Sequence, residues 1–225
     1  MATVPSLGDL LNAIDVSLTN LPTNLTAQSA GGDVFEAYVF GVIIDAAENE
    51  GGTVDYRNRD GSNPTQFFFR SSPGHLYSAA QSYTYARIQF PNVPMLEAHL
   101  GVYVSGKSQL IHEADVVVLA SSEGDLSRTN SVPPRSNKCI LTVECKFYAS
   151  NISLFLGRGF VGLCSDLSAR ESFFVTNSAS DSVQKLLVHK RLKWESQLQP
   201  SETVNVERFQ NAIQEVFKDY KAKYA

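Results

Sequence analysis

The segment from Asp33 to about Glu50 carries Val34, Phe35, Tyr38, Val39, Phe40, Val42, Ile43 and Ile44 and is apolar on nearly every side. Its length and its closing Gly51-Gly52 pair predict a helix, and a helix apolar all round must be enclosed by the rest of the fold. A sheet is the natural cover, and the chain supplies strands for one. Tyr83 to Phe90, Leu96 to Val104, Gln109 to Leu119 and Cys139 to Tyr148 alternate or run apolar; Pro91, Pro94 and Ser105-Gly106-Lys107-Ser108 separate the first three. Gln66 to Arg70 reads as a further short strand. In the Leu96 strand, Glu97, His99 and Tyr103 are expected on one face, with Leu96, Ala98, Leu100, Val102 and Val104 on the other. Asn151 to Leu167 reads as a helix lying close on the sheet through its glycines, and Glu171 to Thr176 as a fourth core strand.

The expected architecture is therefore an α/β (α+β) single domain: a central mixed sheet flanked by helices, with a core over about residues 33–176. An N-terminal helix is expected over 6–20, capped by Ser6 and striped by Leu7, Leu10, Leu11, Ile14 and Leu18. A C-terminal segment, 180–224, ends in a helix from about Asn205 to Tyr220. Residues 121–138 are polar and read as a long loop, well placed to close over a substrate.

Two of the strands carry charge where apolar residues would be expected. Asp115 precedes Val116, Val117, Val118 and Leu119, and Glu144-Cys145-Lys146 ends the run Ile140 to Val143. Glu144 and Lys146 are two apart and point to the same side. Carboxylates converging at a sheet edge repel unless a hard cation lies between them, and oxygen donors suit Mg²⁺, with Mn²⁺ as a substitute. A lysine beside such an ion can orient or deprotonate water, or offset charge on a phosphate. An acid-x-Lys triplet is also common on solvated strands, but these strands are too apolar for casual exposure. Glu113 shares a face with Asp115 and is an alternative ligand; His112 is expected to be a satisfied structural histidine. Glu36 has two readings: Asp33-x-x-Glu36 matches a capping box, or Glu36 faces inward as an additional acid.

This arrangement resembles the PD-(D/E)xK nuclease superfamily, with its restriction-endonuclease-like αβββαβ core. The resemblance implies a metal-dependent nuclease, with Asp115, Glu144 and Lys146 catalytic. Asp115, Glu144, the Cys145 carbonyl and Glu36 would hold metal, and Arg158 and Tyr148 would contact phosphate. Ala114 stands where the family name has proline. A DNA endonuclease of restriction, defence or mobile-element type is the expectation, with RNA an open substrate. The alternative is a catalytically degenerate nuclease fold that binds nucleic acid or assembles into a larger complex.

A formal charge of −4 over 225 residues weighs against tight autonomous binding to a polyanion. The strongest basic cluster is Lys185, Lys190, Arg191 and Lys193 around Trp194. It is either a solvated face or a phosphate contact with Trp194 stacking on a base. The aromatic runs Phe67–Phe69 and Tyr83–Tyr85 fit core packing or a homodimer interface. No apolar run reaches the roughly 20 residues that span a bilayer, and Met1 to Pro5 lack signal-peptide character; no membrane contact and a cytoplasmic setting are expected. Cys139, Cys145 and Cys164 have no metal-ligand spacing and read as free thiols. No phosphate-binding Gly-rich loop, serine nucleophile elbow or His-Glu-x-x-His helix occurs.

Overall fold

The computed structural model describes residues 5–19 and 21–224; Met1 to Val4, on which the signal-peptide expectation largely rests, and Asn20, at the end of the expected first helix, lie outside the described residues. The chain forms α1 (Leu7–Ser17), α2 (Gly31–Asn49), β1 (Thr53–Asn58), β2 (Thr84–Gln89), β3 (Leu96–Ser105), β4 (Ile111–Ala120), α3 (Ser121–Asn130), β5 (Cys139–Lys146), α4 (Leu154–Asp166), β6 (Glu171–Thr176), α5 (Asp181–His189), β7 (Lys193–Glu195) and α6 (Thr203–Lys221). The seven strands lie side by side in chain order. Neighbours from β1 to β5 are antiparallel, and β5, β6 and β7 are parallel. The fold is mixed α/β. Among the described residues, no helix is long and apolar enough to cross a membrane.

The apolar helix α2 is enclosed as its composition demands. The main core joins Phe35, Phe40 and Ile43 of α2 to Val116, Val118, Leu141 and Val143 of the sheet, with α1 and α6 completing the layer. The opposite face carries two smaller cores: Val102, Val104, Val117 and Leu119 in one, and Phe160, Phe174, Val183 and Leu187 between α4, α5 and the sheet in the other. Ser6 caps α1 by accepting from the Asp9 N–H at 3.1 Å, as its position predicts.

Three expectations are corrected. Phe67 and Phe69 are not in a strand: Phe67 makes one isolated bridge to Thr23, and its ring packs on Phe40 at 5.5 Å. Their inward alternation imitates a strand, but the sheet position beside β2 belongs to β1. Phe67, Phe69, Tyr83 and Tyr85 are buried within the chain, as the core-packing reading expects, while Phe68 between the first two is exposed.

Residues 121–138 are not one long loop. Ser121–Asn130 is α3, built on ion pairs rather than an apolar stripe. Arg128 donates to both Glu97 oxygens at 2.7 and 3.0 Å, and buried Glu123 accepts from the Arg135 guanidinium and backbone N–H. The segment joins the end of β4 to the start of β5. Asp115 lies five residues back along β4, about 17 Å at the usual strand rise, so this segment is no lid for Asp115.

β3 does not keep one face. Leu96, Ala98 and Leu100 enter the main core, but Val102 and Val104 enter the opposite one. β4 changes sides at the same level, with Val116 and Val118 in the first core and Ala114 in the second. The pairing runs Leu100 with Val116 and then Val102 with Ala114, which leaves Gly101 across from Asp115. Gly101 has φ +62°, a conformation that costs little only in glycine. Both strands turn over there, and Asp115 sits on the turnover.

Candidate functional site

Asp115 lies one step beyond the Val116–Val143 pair, which sets it beside the end of β5. Its Oδ2 accepts the Cys145 backbone N–H at 2.7 Å. Strand alternation then sends Cys145 into the main core and Glu144 and Lys146 the other way. Lys146 Nζ lies 2.7 Å from Glu144 Oε1 and 3.6 Å from Asp115 Oδ2.

Glu36 reaches the same place from α2. The capping-box reading is overturned: the helix begins two residues earlier than its charge pattern suggests, with Ala30 at the N-cap and no side-chain cap. Glu36 is therefore more than a turn inside. The first turn runs close to β5: a Cβ on Gly31 would come within 2.7 Å of the Phe147 ring. Phe35 packs on Phe147 at 5.6 Å, so the residue after Phe35 is held next to the residue before Phe147. Glu36 and Lys146 meet for that reason.

Glu36, Glu113, Asp115, Glu144 and Lys146 line one side of a cavity of about 590 Å³; Phe155, Leu156, Gly159, Phe160, Gly162 and Leu163 of α4 line the other. Four carboxylates and one ammonium thus share the cavity, with Asp115 and Glu144 within ion-pair distance of Lys146. Glu36 is pushed up to about 8, first by burial and then by the Asp115 charge, with Lys146 pulling it down. Glu144 and Glu113 are raised by burial and by Asp115, and Asp115 by burial against the pull of Lys146 and the Cys145 N–H. Burial alone would lower Lys146, but Asp115 and Glu144 outweigh it and keep the ammonium protonated. An ion pair normally lowers its carboxylate; here Glu144 rises, first because it is buried and then because of the Asp115 charge, against the pull of Lys146.

That donor set suits a hard divalent cation: the facing groups are carboxylate oxygens, and they carry negative charge that Lys146 does not balance. Among the described residues, however, no three His, Cys, Asp or Glu side chains are gathered closely enough to hold an ion. The Cys145 thiol is buried in the main core, leaving only its backbone near the acids.

The remaining expected residues stand apart. Arg158 is exposed on α4 and does not line the cavity. Tyr148 follows β5, with its N–H bound to Asn177 Oδ1 at 2.8 Å. Lys193 is 3.6 Å from Glu171, and Trp194 stacks on Phe174 at 5.6 Å, so its ring is already engaged. Lys190 and Arg191 form the turn into β7, which pairs with β6 from Phe173 onward; they lie two strands from β5 and towards the other end of the sheet. His112 also lines the cavity but binds Asp166 at 2.6 Å, the structural role expected of it. Asp166 accepts from Ser108 as well and ties the β3–β4 turn to α4.

The α4 wall was not anticipated as part of the site. Its signal in the sequence is the pair Gly159 and Gly162, four and seven residues after Phe155 on one helix face. A second polar cluster joins buried Glu97 and His99, expected on one face of their strand, to half-buried Arg128, a partner no sequence pattern pointed to. A groove of about 730 Å³ between α1, α2 and α6 has no lysine, arginine or histidine on its walls and offers no comparable acid–base set.

Comparison with protein-family models, curated proteins and solved structures found no match for this chain.

Proposed function

We propose that the chain is a metal-dependent nuclease of PD-(D/E)xK type that hydrolyses phosphodiester bonds, DNA being the first substrate to test and RNA the second. The observation that carries this reading is the meeting of Asp115, Glu144 and Lys146 on adjoining strands, with Glu36 from α2 lining the same side of the cavity. The run of α2, β3, β4, β5, α4 and β6, with β6 parallel to β5, supports the αβββαβ resemblance once β1 and β2 are taken as additions after α2 and α3 as an insertion between β4 and β5.

Asp115 and Glu144, with the Cys145 carbonyl and Glu36, would hold Mg²⁺ or Mn²⁺. The ion would supply Lewis-acid stabilisation of the phosphoryl charge and a more acidic water. Lys146 remains protonated, so it acts as a donor: it orients the attacking water and offsets phosphate charge rather than taking a proton. Glu36, protonated near neutral pH, can give up its proton when a cation arrives or accept one from the attacking water after ionising. The Cys145 N–H fixes one Asp115 oxygen and so limits how that carboxylate can turn.

A second reading, a nuclease fold that binds without cutting, is favoured by one observation: the carboxylates are not gathered into a three-ligand group. The two readings separate on incubation with plasmid, linear DNA and RNA in Mg²⁺, Mn²⁺ or EDTA. Cleavage should require metal and fall by about 100-fold or more in Lys146→Met. Folded protein that cuts none of these substrates would overturn the first reading.

A further inference from the structure

The groove between α1, α2 and α6 shares no residue with the Asp115–Lys146 cavity and has a different chemistry. α1 and α6 each pack against α2, and the gap between them encloses about 730 Å³. The three helices turn one face each towards it: Ala13 and Val16 from α1, Tyr38, Val42 and Asp45 from α2, and Val206 from α6. Val16, 75% exposed, stands on the rim, whereas Tyr38 and Val42 are buried yet still line the groove, so α2 is its floor. Two polar groups on that floor lack partners. Asp45 is half-buried, and its Oδ2 accepts the Ser17 hydroxyl at 2.9 Å. Among the described residues it has no cation: no lysine, arginine or histidine lines the groove. Burial raises its carboxyl, and the Ser17 bond is what pulls it back down. A carboxylate enclosed among apolar groups is costly until a positive charge meets it. Tyr38 is only 4% exposed, and its hydroxyl pairs with no described group. The nearby Ser17 hydroxyl is given to Asp45, and the Ser17 carbonyl takes the Tyr56 hydroxyl. The Asp45 charge, added to burial, raises the Tyr38 hydroxyl in turn.

An apolar concavity of this size with a few fixed polar groups matches the sites that take small organic molecules. Charge decides which kind. A neutral molecule would cover Asp45 and leave it without a counter-charge. An acid would meet Asp45 together with Asp9 and Glu207, two further carboxylates on the walls that have no ion-pair partner among the described residues. We propose that the groove binds a small organic cation, an amine with a hydrocarbon or aromatic body. Its ammonium donates to the Asp45 carboxylate and to the Tyr38 hydroxyl oxygen, a charge-assisted pairing of the stronger kind. Its body lies along Ala13, Val16, Val42 and Val206. Asp9 and Glu207 draw the positive head towards the groove through their charge.

Isothermal titration calorimetry of the full chain with 4-phenylbutylamine, 4-phenylbutanol and 4-phenylbutanoate tests this, because the three share one body and differ in the head. The amine should bind about 10-fold or more tighter than the alcohol, and the carboxylate most weakly. Asp45→Asn keeps an acceptor for the Ser17 hydroxyl and removes the charge. It should weaken the amine about 10- to 100-fold, the range for one hydrogen bond to a charged group, and leave the alcohol unchanged. Tyr38→Phe should weaken the amine about 2- to 10-fold. Val16→Ala, which trims the apolar wall, should weaken amine and alcohol alike. Circular dichroism checks that each variant is folded; if Asp45→Asn is not, the amine-to-alcohol ratio in wild type and the Tyr38→Phe shift decide instead. Alcohol bound as tightly as amine, or a folded Asp45→Asn protein that binds the amine as wild type does, would overturn the inference. So would the absence of saturable amine binding at millimolar concentration. A lysine-bearing amphipathic peptide that binds through Asp45 where the amine does not would make the occupant a protein partner and overturn it as well.

Discussion

The Cys145 backbone N–H donates to Asp115 Oδ2 at 2.7 Å, so the first acid of the site also closes the ladder between β4 and β5. Structure and chemistry are therefore joined in one side chain, and two substitutions separate them. Asp115→Asn keeps an acceptor for that N–H and should fold with a Tm near wild type while losing metal-dependent cleavage. Asp115→Ala leaves the buried N–H unpaired, at a cost of about 1–3 kcal/mol. Chemical denaturation of both variants checks this; equal stability would show that the hydrogen bond holds nothing.

Glu36 sets a pH dependence. Its carboxyl is pushed up to about 8 in the folded chain, against roughly 4.3 when unfolded. Between these values the folded state binds the extra proton, so stability is full at low pH and falls as pH rises through about 8. Thermal melts in EDTA from about pH 5 to 9 should show Tm falling across that window. Glu36→Gln should flatten the curve, and Mn²⁺ should raise Tm more for wild type than for the variant. A wild-type Tm that does not change over the window contradicts the assignment.

Arg128 answers the almost fully enclosed charge of Glu97. Glu97 is 1% exposed; burial works against its ionisation, but hydrogen bonds from His99 and Arg128 hold it down at about 2. Arg128→Met removes one partner and leaves the carboxylate in place, which should cost about 3–5 kcal/mol. The stability that Glu97 supplies is present above its unfolded pKa and lost as pH falls towards 2, so acid unfolding of Arg128→Met should begin at higher pH than in wild type. Circular dichroism against pH measures both effects.

Gly101 should tolerate alanine sterically but not conformationally. A Cβ there would have its nearest neighbours at an ordinary 3.7 Å, yet φ is +62°. Gly101→Ala should therefore destabilise by about 1–2 kcal/mol, and Gly101→Asn by less, because asparagine accepts left-handed backbone more readily. Urea titration distinguishes them. If alanine proves neutral, the turnover of β3 and β4 does not rest on this residue.

Much of the architecture was readable because burial leaves a periodic mark. The stripes of α1 and α6, the all-round apolar surface of α2 and the runs of β4 and β5 each record one face or one layer. The acids were readable because charge at the end of such a run is out of place. What was not readable depends on tertiary partners. α3 is polar along its length and is held by Glu97 and Arg135, residues distant in the chain. Phe67 and Phe69 alternate as a strand does but face α2 without a ladder. The face change in β3 comes from a single backbone angle at Gly101, which no alternation pattern encodes. Glu36 could not be assigned from sequence because the groups it joins in the cavity, Asp115, Glu144 and Lys146, are distant in the chain.

The side-by-side chain order of the strands has a consequence for how the molecule is made. Each new strand needs only the one before it as a template, so ribosomal synthesis can extend the sheet as the chain emerges. α2 emerges before every strand that covers it, so its apolar surface stays uncovered until they form. Until Cys139–Lys146 is complete, β4 is a bare edge, rich in valine and open to pairing with another nascent chain. The strand that carries Glu144 and Lys146 is thus also the one that ends this aggregation hazard.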